Sequence, residues 1–170
     1  MIGTNIISNG MTKAIALFAN VAPTREEHQP VVAAKPTAST AVIMRTADAA
    51  GTPVIGLSGK LNAGSCDALI HEAAALHARG SAAVTIDLTH VDSVSLCGVY
   101  ALHAIAAVFA HAAAPDEFSS SETGLRDLRR LAEANLARGH IPGIRLTCPD
   151  AALRTTLVKA GMDEVYELVH

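Results

Sequence analysis

The stretch from Ala82 to Phe109 constrains the fold more than any other part of the chain. It reads as a dense apolar strand, a short serine-containing link and a long alanine-rich helix. Val84-Thr85-Ile86-Asp87-Leu88 is rich in apolar and β-branched residues, and its density predicts a strand covered on both faces. Ser95-Leu96-Cys97-Gly98 then opens a helix through Val99, Leu102, Ile105, Ala106 and Phe109. A strand-to-helix corner of this kind is where an open α/β sheet tends to place its functional groups.

The rest of the chain alternates in the same way. Val42 to Arg45 and Pro53 to Leu57 read as two strands joined by a turn around Asp48 to Thr52, where Gly51 permits a positive φ. Ser65 is read as the N-cap of a helix that buries Leu69, Ile70, Ala73 and Leu76 and stops at Gly80. Ile144 to Cys148 is the next strand. Asp150 caps a helix burying Leu153, Leu157 and Ala160, Gly161 ends it, and Val165 to Val169 makes a last short strand. Strand-helix alternation with short connections predicts an α/β fold with a mainly parallel sheet and right-handed crossovers.

Two segments stand outside that alternation. Residues 1 to 40, with Pro23, Pro30 and Pro36 among small polar residues, read as a flexible extension. Within it, Ala14 to Val21 is an apolar patch behind Lys13, too short for the core of a signal peptide but able to form a short docking helix. Between the Ser95 helix and the Ile144 strand lies an insertion at about 112–143. Ser119 and Glu122 suggest a capping box there, with Thr123 as a competing N-cap. Leu125, Leu128, Ala132 and Leu136 follow at helical spacing, while Arg126, Arg129, Arg130 and Arg138 fall on the other side. The insertion reads as an extra surface helix covering part of the domain, or as a partner-docking helix.

From residue 42 to 169 the order of these motifs resembles the STAS family, shared by anti-sigma factor antagonists and sulfate transporters. Val54 to Asn62 is similar to the family's second strand, and Asp87-Leu88-Thr89 to its usual Asp-Leu-Ser. Ser95-Leu96-Cys97-Gly98 falls on the pattern Asp-Ser-Ser-Gly, and Leu157 to Met162 is similar to the last helix and its glycine stop. The resemblance implies a STAS-like mainly parallel sheet with helices, plus an inserted helix before the fourth strand. The departures bear on the switch. Leu96 stands where the family's phosphorylated serine stands, Ser95 where its acid stands, Cys97 replaces the second hydroxyl, and Asn62 replaces the acid after the second strand.

Composition and motifs narrow the function. The net charge of −3 gives no electrostatic footprint for nucleic acid. No apolar run approaches the roughly 18 residues that span a bilayer, so no direct membrane insertion is expected. Cys66, Cys97 and Cys148 lie far apart without a Cys-x-x-Cys pair, which suggests free thiols in a reducing, cytoplasmic setting. Gly56 to Lys60 has its glycines too close for a phosphate loop, and it is not a nucleophile elbow either. His71 and His77, like His103 and His111, miss the i, i+4 spacing of a helical metal pair, so no metal and no cofactor are expected. Cys97 at a helix N-terminus would have its thiol pKa lowered by the dipole, although a buried small residue is its plainer reading.

These readings converge on a non-enzymatic binding module. Its expected contact surface comprises Lys60, Asn62, Ser93, Ser95, Leu96, Cys97, and the exposed side of the Ser95 helix at Tyr100 and His103. Ser93 and Ser95 are candidate phosphorylation sites, because a helix N-terminus favours phosphate. The resemblance implies a kinase-type anti-sigma factor as partner, bound constitutively or as part of a scaffold since Leu96 cannot be phosphorylated. The alternative it implies is a regulatory subunit on the ATPase of an ABC lipid-transport complex. A homodimer fits either arrangement.

Overall fold

A computed structural model describes residues 41–111 and 122–169. The described residues form ten elements: β1 (Val42–Ala47), β2 (Pro53–Leu61), α1 (Ala63–Ala78), β3 (Val84–Val94), α2 (Leu96–Phe109), α3 (Glu122–Arg138), β4 (Ile144–Thr147), α4 (Ala151–Lys159), α5 (Met162–Val165) and β5 (Glu167–Val169). The expected extension at residues 1 to 40, with its apolar patch at Ala14 to Val21, lies outside them. So does the expected capping residue Ser119.

The strands lie side by side in chain order, β1-β2-β3-β4-β5. The β1–β2 pair is an antiparallel hairpin and the other three pairs are parallel. The Asp48 carboxylate fixes the hairpin turn by accepting from the backbone N–H of Ala50 (2.9 Å) and Thr52 (2.8 Å). These bonds, the Thr52 one foremost, hold its pKa below the usual carboxylate value. Gly51 supplies the left-handed residue of the turn at φ 79°.

Because strand order follows chain order, crossovers of one hand lay the helices on one face of the sheet. The burial pattern agrees. Val84, Ile86 and Leu88 of β3 are buried, while Thr85 and Asp87 between them are only half-buried. Ile55 and Leu57 of β2 and Ile144 and Leu146 of β4 alternate in the same way with more open neighbours. The expectation that β3 is covered on both faces is therefore corrected. Thr85 and Asp87 are polar positions on an open face, and the strand has the period-2 pattern of a one-sided sheet.

Local chemistry accounts for the helix ends, with one change from the sequence reading. The cap of α1 is Asn62, not Ser65. The Asn62 side chain accepts from Gly64 N at 3.0 Å, and Ser65, now inside the first turn, accepts from Asn62 N at 3.2 Å. The pair forms a capping box. Ser95 caps α2 and Asp150 caps α4 as the sequence indicates. Gly161, with φ 78°, ends α4 and leads into α5, so Val165 closes a helical turn instead of opening the last strand.

The α2 helix has no exposed side. Every residue from Cys97 to Phe109 is buried. It packs against α1 and against α3 of the insertion, and α3 turns Gly124, Leu128, Ala132 and Asn135 inward. The insertion is thus part of the core. Its arginines at 126, 129, 130 and 138 are exposed, as helical spacing indicates.

Candidate functional site

The two segments expected to act together, Lys60 to Ser65 and Ser93 to Gly98, are joined at their starts by the β2–β3 register. Lys60 pairs with Ser93 and Leu61 with Val94 in the parallel ladder. Ser95 N donates to the Leu61 carbonyl at 2.9 Å, which locks the two strand ends together. Immediately beyond them α1 and α2 begin, capped by Asn62 and Ser95. Two helix N-termini and the exposed Lys60 ammonium thus share one corner, and all three favour negative charge.

Gly98 makes that corner possible. A Cβ there would lie 2.8 Å from Val94 Cγ1, 2.9 Å from Leu61 Cγ and 3.0 Å from the Leu61 carbonyl oxygen. The first turn of α2 therefore sits directly on the ends of β2 and β3. Gly98→Ala is expected to lower stability by about 1–3 kcal/mol through overpacking. Urea denaturation measures it, and a loss under about 0.5 kcal/mol would mean that the corner yields freely.

The site residues separate into two groups by burial. Lys60, Ser93 and Ser95 are exposed, and Asn62 and Leu96 are half-buried. The Ser95 hydroxyl accepts from Gly98 N at 3.3 Å, and Leu96 leans partly on the core. Cys97, Tyr100 and His103 are buried at 8%, 2% and 0% exposure. The expectation that Tyr100 and His103 form an exposed contact face is corrected, because neighbouring helices leave α2 no free side.

His103 is instead a structural bridge. Its Nε2–H donates to the Ala160 carbonyl at 3.3 Å, which leaves Nδ1 as an acceptor facing Asn135 Nδ2 at 3.3 Å. The same Asn135 amide donates to the His103 carbonyl at 2.8 Å, and its Oδ1 accepts from Arg138 at 3.2 Å. Burial lowers the imidazole pKa from 6.5 to about 4, only partly opposed by the Ala160 bond. A second buried tie runs from the Tyr166 hydroxyl to the Leu102 carbonyl at 2.6 Å. Neither bridge is legible from spacing alone. The available signal was a lone Asn at position 135 of the inserted helix, on the face that also carries Leu128 and Ala132.

Cys97 also departs from the helix-dipole argument. Its thiol is pushed up by burial, which outweighs the hydrogen bond from Cys66. Cys66, 31 residues earlier, meets Cys97 across the first turns of α1 and α2, and burial pushes its thiol well above the ordinary range as well. All three cysteines are free and buried. Two further histidines also come together in space. His77 and His111 have ring centroids 5.0 Å apart, and Phe109 also lies 5.0 Å from His77.

No protein-family model matches this chain, and no curated protein sequence matches it. Solved structures do. An anti-sigma factor antagonist from Mycobacterium paratuberculosis superposes with a TM-score of 0.51 at 19% identity, over 76% of this chain and 85% of that one. The anti-sigma factor antagonist SpoIIAA in its unphosphorylated form gives 0.43 at 14% identity, over 76% and 88%. A protein of the DUF3478 family from Shewanella loihica PV-4, with a SpoIIAA-like fold, gives 0.40 at 12% identity, over 76% and 83%. The fold is SpoIIAA-like, the STAS architecture that the order of motifs resembles. Among the described residues no helix is long and apolar enough to cross a membrane.

Proposed function

We propose that this chain is a non-enzymatic protein-interaction module that docks an acidic partner surface at the corner made by Lys60 to Asn62 and Ser93 to Leu96. The observation that carries this reading is the β2–β3 register, which sets Lys60 beside Ser93 with two capped helix N-termini immediately beyond. Such a cluster of ammonium and backbone N–H groups attracts carboxylates. Half-buried Leu96 adds an apolar contact at its centre. The candidate nucleophile of the corner, Cys97, is held protonated by burial, which favours binding over covalent chemistry.

The similar solved structure named as an anti-sigma factor antagonist supports an anti-sigma factor as the partner class, and the motif resemblance narrows it to the kinase type. With leucine at position 96, the contact is constitutive with respect to that position. A second control point is supported by the exposure of Ser95 and Ser93. Phosphate on either would place up to two negative charges among groups that otherwise attract an acidic partner.

Affinity purification of the tagged chain from its own host, read by mass spectrometry, tests the assignment. A kinase-type anti-sigma factor is the expected companion, and recovery of an ABC ATPase in its place would make the chain a transporter subunit. With the recovered partner, Lys60→Glu is expected to weaken binding about tenfold or more, near 1.4 kcal/mol. Because Lys60 is exposed, thermal unfolding should stay unchanged. Undiminished binding by Lys60→Glu and by Leu96→Glu, both folded, would remove the corner from the interface.

A further inference from the structure

The open face of the sheet carries an unexplained feature. The exposed large hydrophobic side chains among the described residues are Val42 at 60%, Met44 at 51% and Val169 at 37%. Ladder partners point to the same side of a sheet, so the registers place all three on one face. Val42 and Met44 lie opposite Ser58 and Gly56, Gly56 pairs with Asp87, Asp87 with Thr147, and Thr147 with Val169. Ile43 and Arg45, which alternate with Val42 and Met44 along β1, face the helices, where Arg45 forms an ion pair with Glu72 of α1. The open face also has a groove of about 430 Å³, lined in part by Asp48, Asp87, Arg145 and Glu167. Three carboxylates against one guanidinium give that groove an acidic balance.

We infer that the apolar segment Lys13 to Val21 of this same chain packs on the open face of the sheet, covering Met44 and the acidic groove. Three observations select this occupant. The first is tethering. Residues 1 to 40 lead into β1 through the buried Ala41, so the segment is attached at the strand that carries Val42 and Met44. The twenty residues from 22 to 41 reach about 66 Å when extended, whereas five strands span only about 20 Å. Such a tether gives an effective concentration on the order of millimolar, so a small patch suffices.

The second is area. A face about 20 Å wide and four to six residues long offers roughly 300–400 Å², well under the ~800 Å² per partner of a stable interface between separate molecules. The third is complementarity. Ala14, Leu17, Phe18 and Val21 recur at helical spacing, and Lys13 is the one charged side chain in residues 1 to 24. It brings a cation to an acidic groove. This inference does not depend on the corner proposed above as a partner site.

Methionine oxidation by dilute hydrogen peroxide tests it on the full-length chain. Met44 reports cover on the open face, and Met162, fully buried in the core, reports the integrity of the fold. In the unsubstituted chain Met44 is expected to oxidise slowly, at a rate independent of protein concentration. In the double variant Leu17→Asp, Phe18→Asp it should oxidise several-fold faster while Met162 stays protected. Equal Met44 rates in the two chains would overturn the inference. So would protection that appears only as protein concentration rises, which would make a second copy the occupant.

Discussion

Lowering the pH from 7 to 4 is expected to cost the folded chain about 3 kcal/mol through His103 alone. The imidazole titrates near 6.5 when exposed and near 4 in the fold. Between those values the unfolded chain holds the extra proton and the folded chain does not. Stability therefore falls as pH drops through 6.5, by about 1.4 kcal/mol per unit, and the loss levels off below 4. The geometry explains the size of the effect. A proton added at Nδ1 would face the Asn135 amide, which is already a donor, and no carboxylate among the described residues pairs with the resulting cation. Urea denaturation at pH 7.0, 5.5 and 4.5 measures the slope. His103→Gln should be less stable at pH 7 yet lose less on acidification. Parallel pH profiles for the two proteins would mean that the buried imidazole is not the group that titrates.

Removing residues 116–139 and joining the ends through a short Gly-Ser linker is expected to abolish the folded state. Leu128 and Asn135 of α3 are fully buried, and Ala132 is 2% exposed. A fully buried large aliphatic side chain contributes about 1.5–3 kcal/mol, and the deletion also uncovers α2 and orphans the His103 bridge. Against a total stability of about 5–15 kcal/mol, those losses leave little margin. Far-UV circular dichroism and thermal melting of the shortened chain decide the point. A cooperative melt close to that of the intact protein would return α3 to the role of a surface accessory. The point variant Leu128→Ala offers a graded version, with an expected loss of about 2–5 kcal/mol.

The elements that were legible in the sequence are those that short-range chemistry specifies. The Asp48 turn, the Ser95 and Asp150 caps and the glycine after α4 rest on groups within five residues of one another. Strand and helix order follows from apolar periodicity, which survives without knowledge of neighbours. Even the misplaced cap of α1 lay within reach, since Asn62 and Ser65 stand at capping-box spacing.

Tertiary structure alone decided the relations between distant residues. Lys60 meets Ser93 because two register shifts set the parallel ladder there, and no local pattern encodes a shift. Asp87 faces an open sheet because crossovers of one hand place the helices on the opposite side. His103 is buried because an insertion that begins after residue 111 returns to pack on α2 and brings Asn135 to it, and Tyr100 lies on the same enclosed helix. Asn135 finds His103 across 32 residues and Ala160 finds it across 57. Burial of a polar group is a property of the packed assembly. The sequence shows that a histidine is present on an apolar helix, and only packing determines whether water or an asparagine satisfies it.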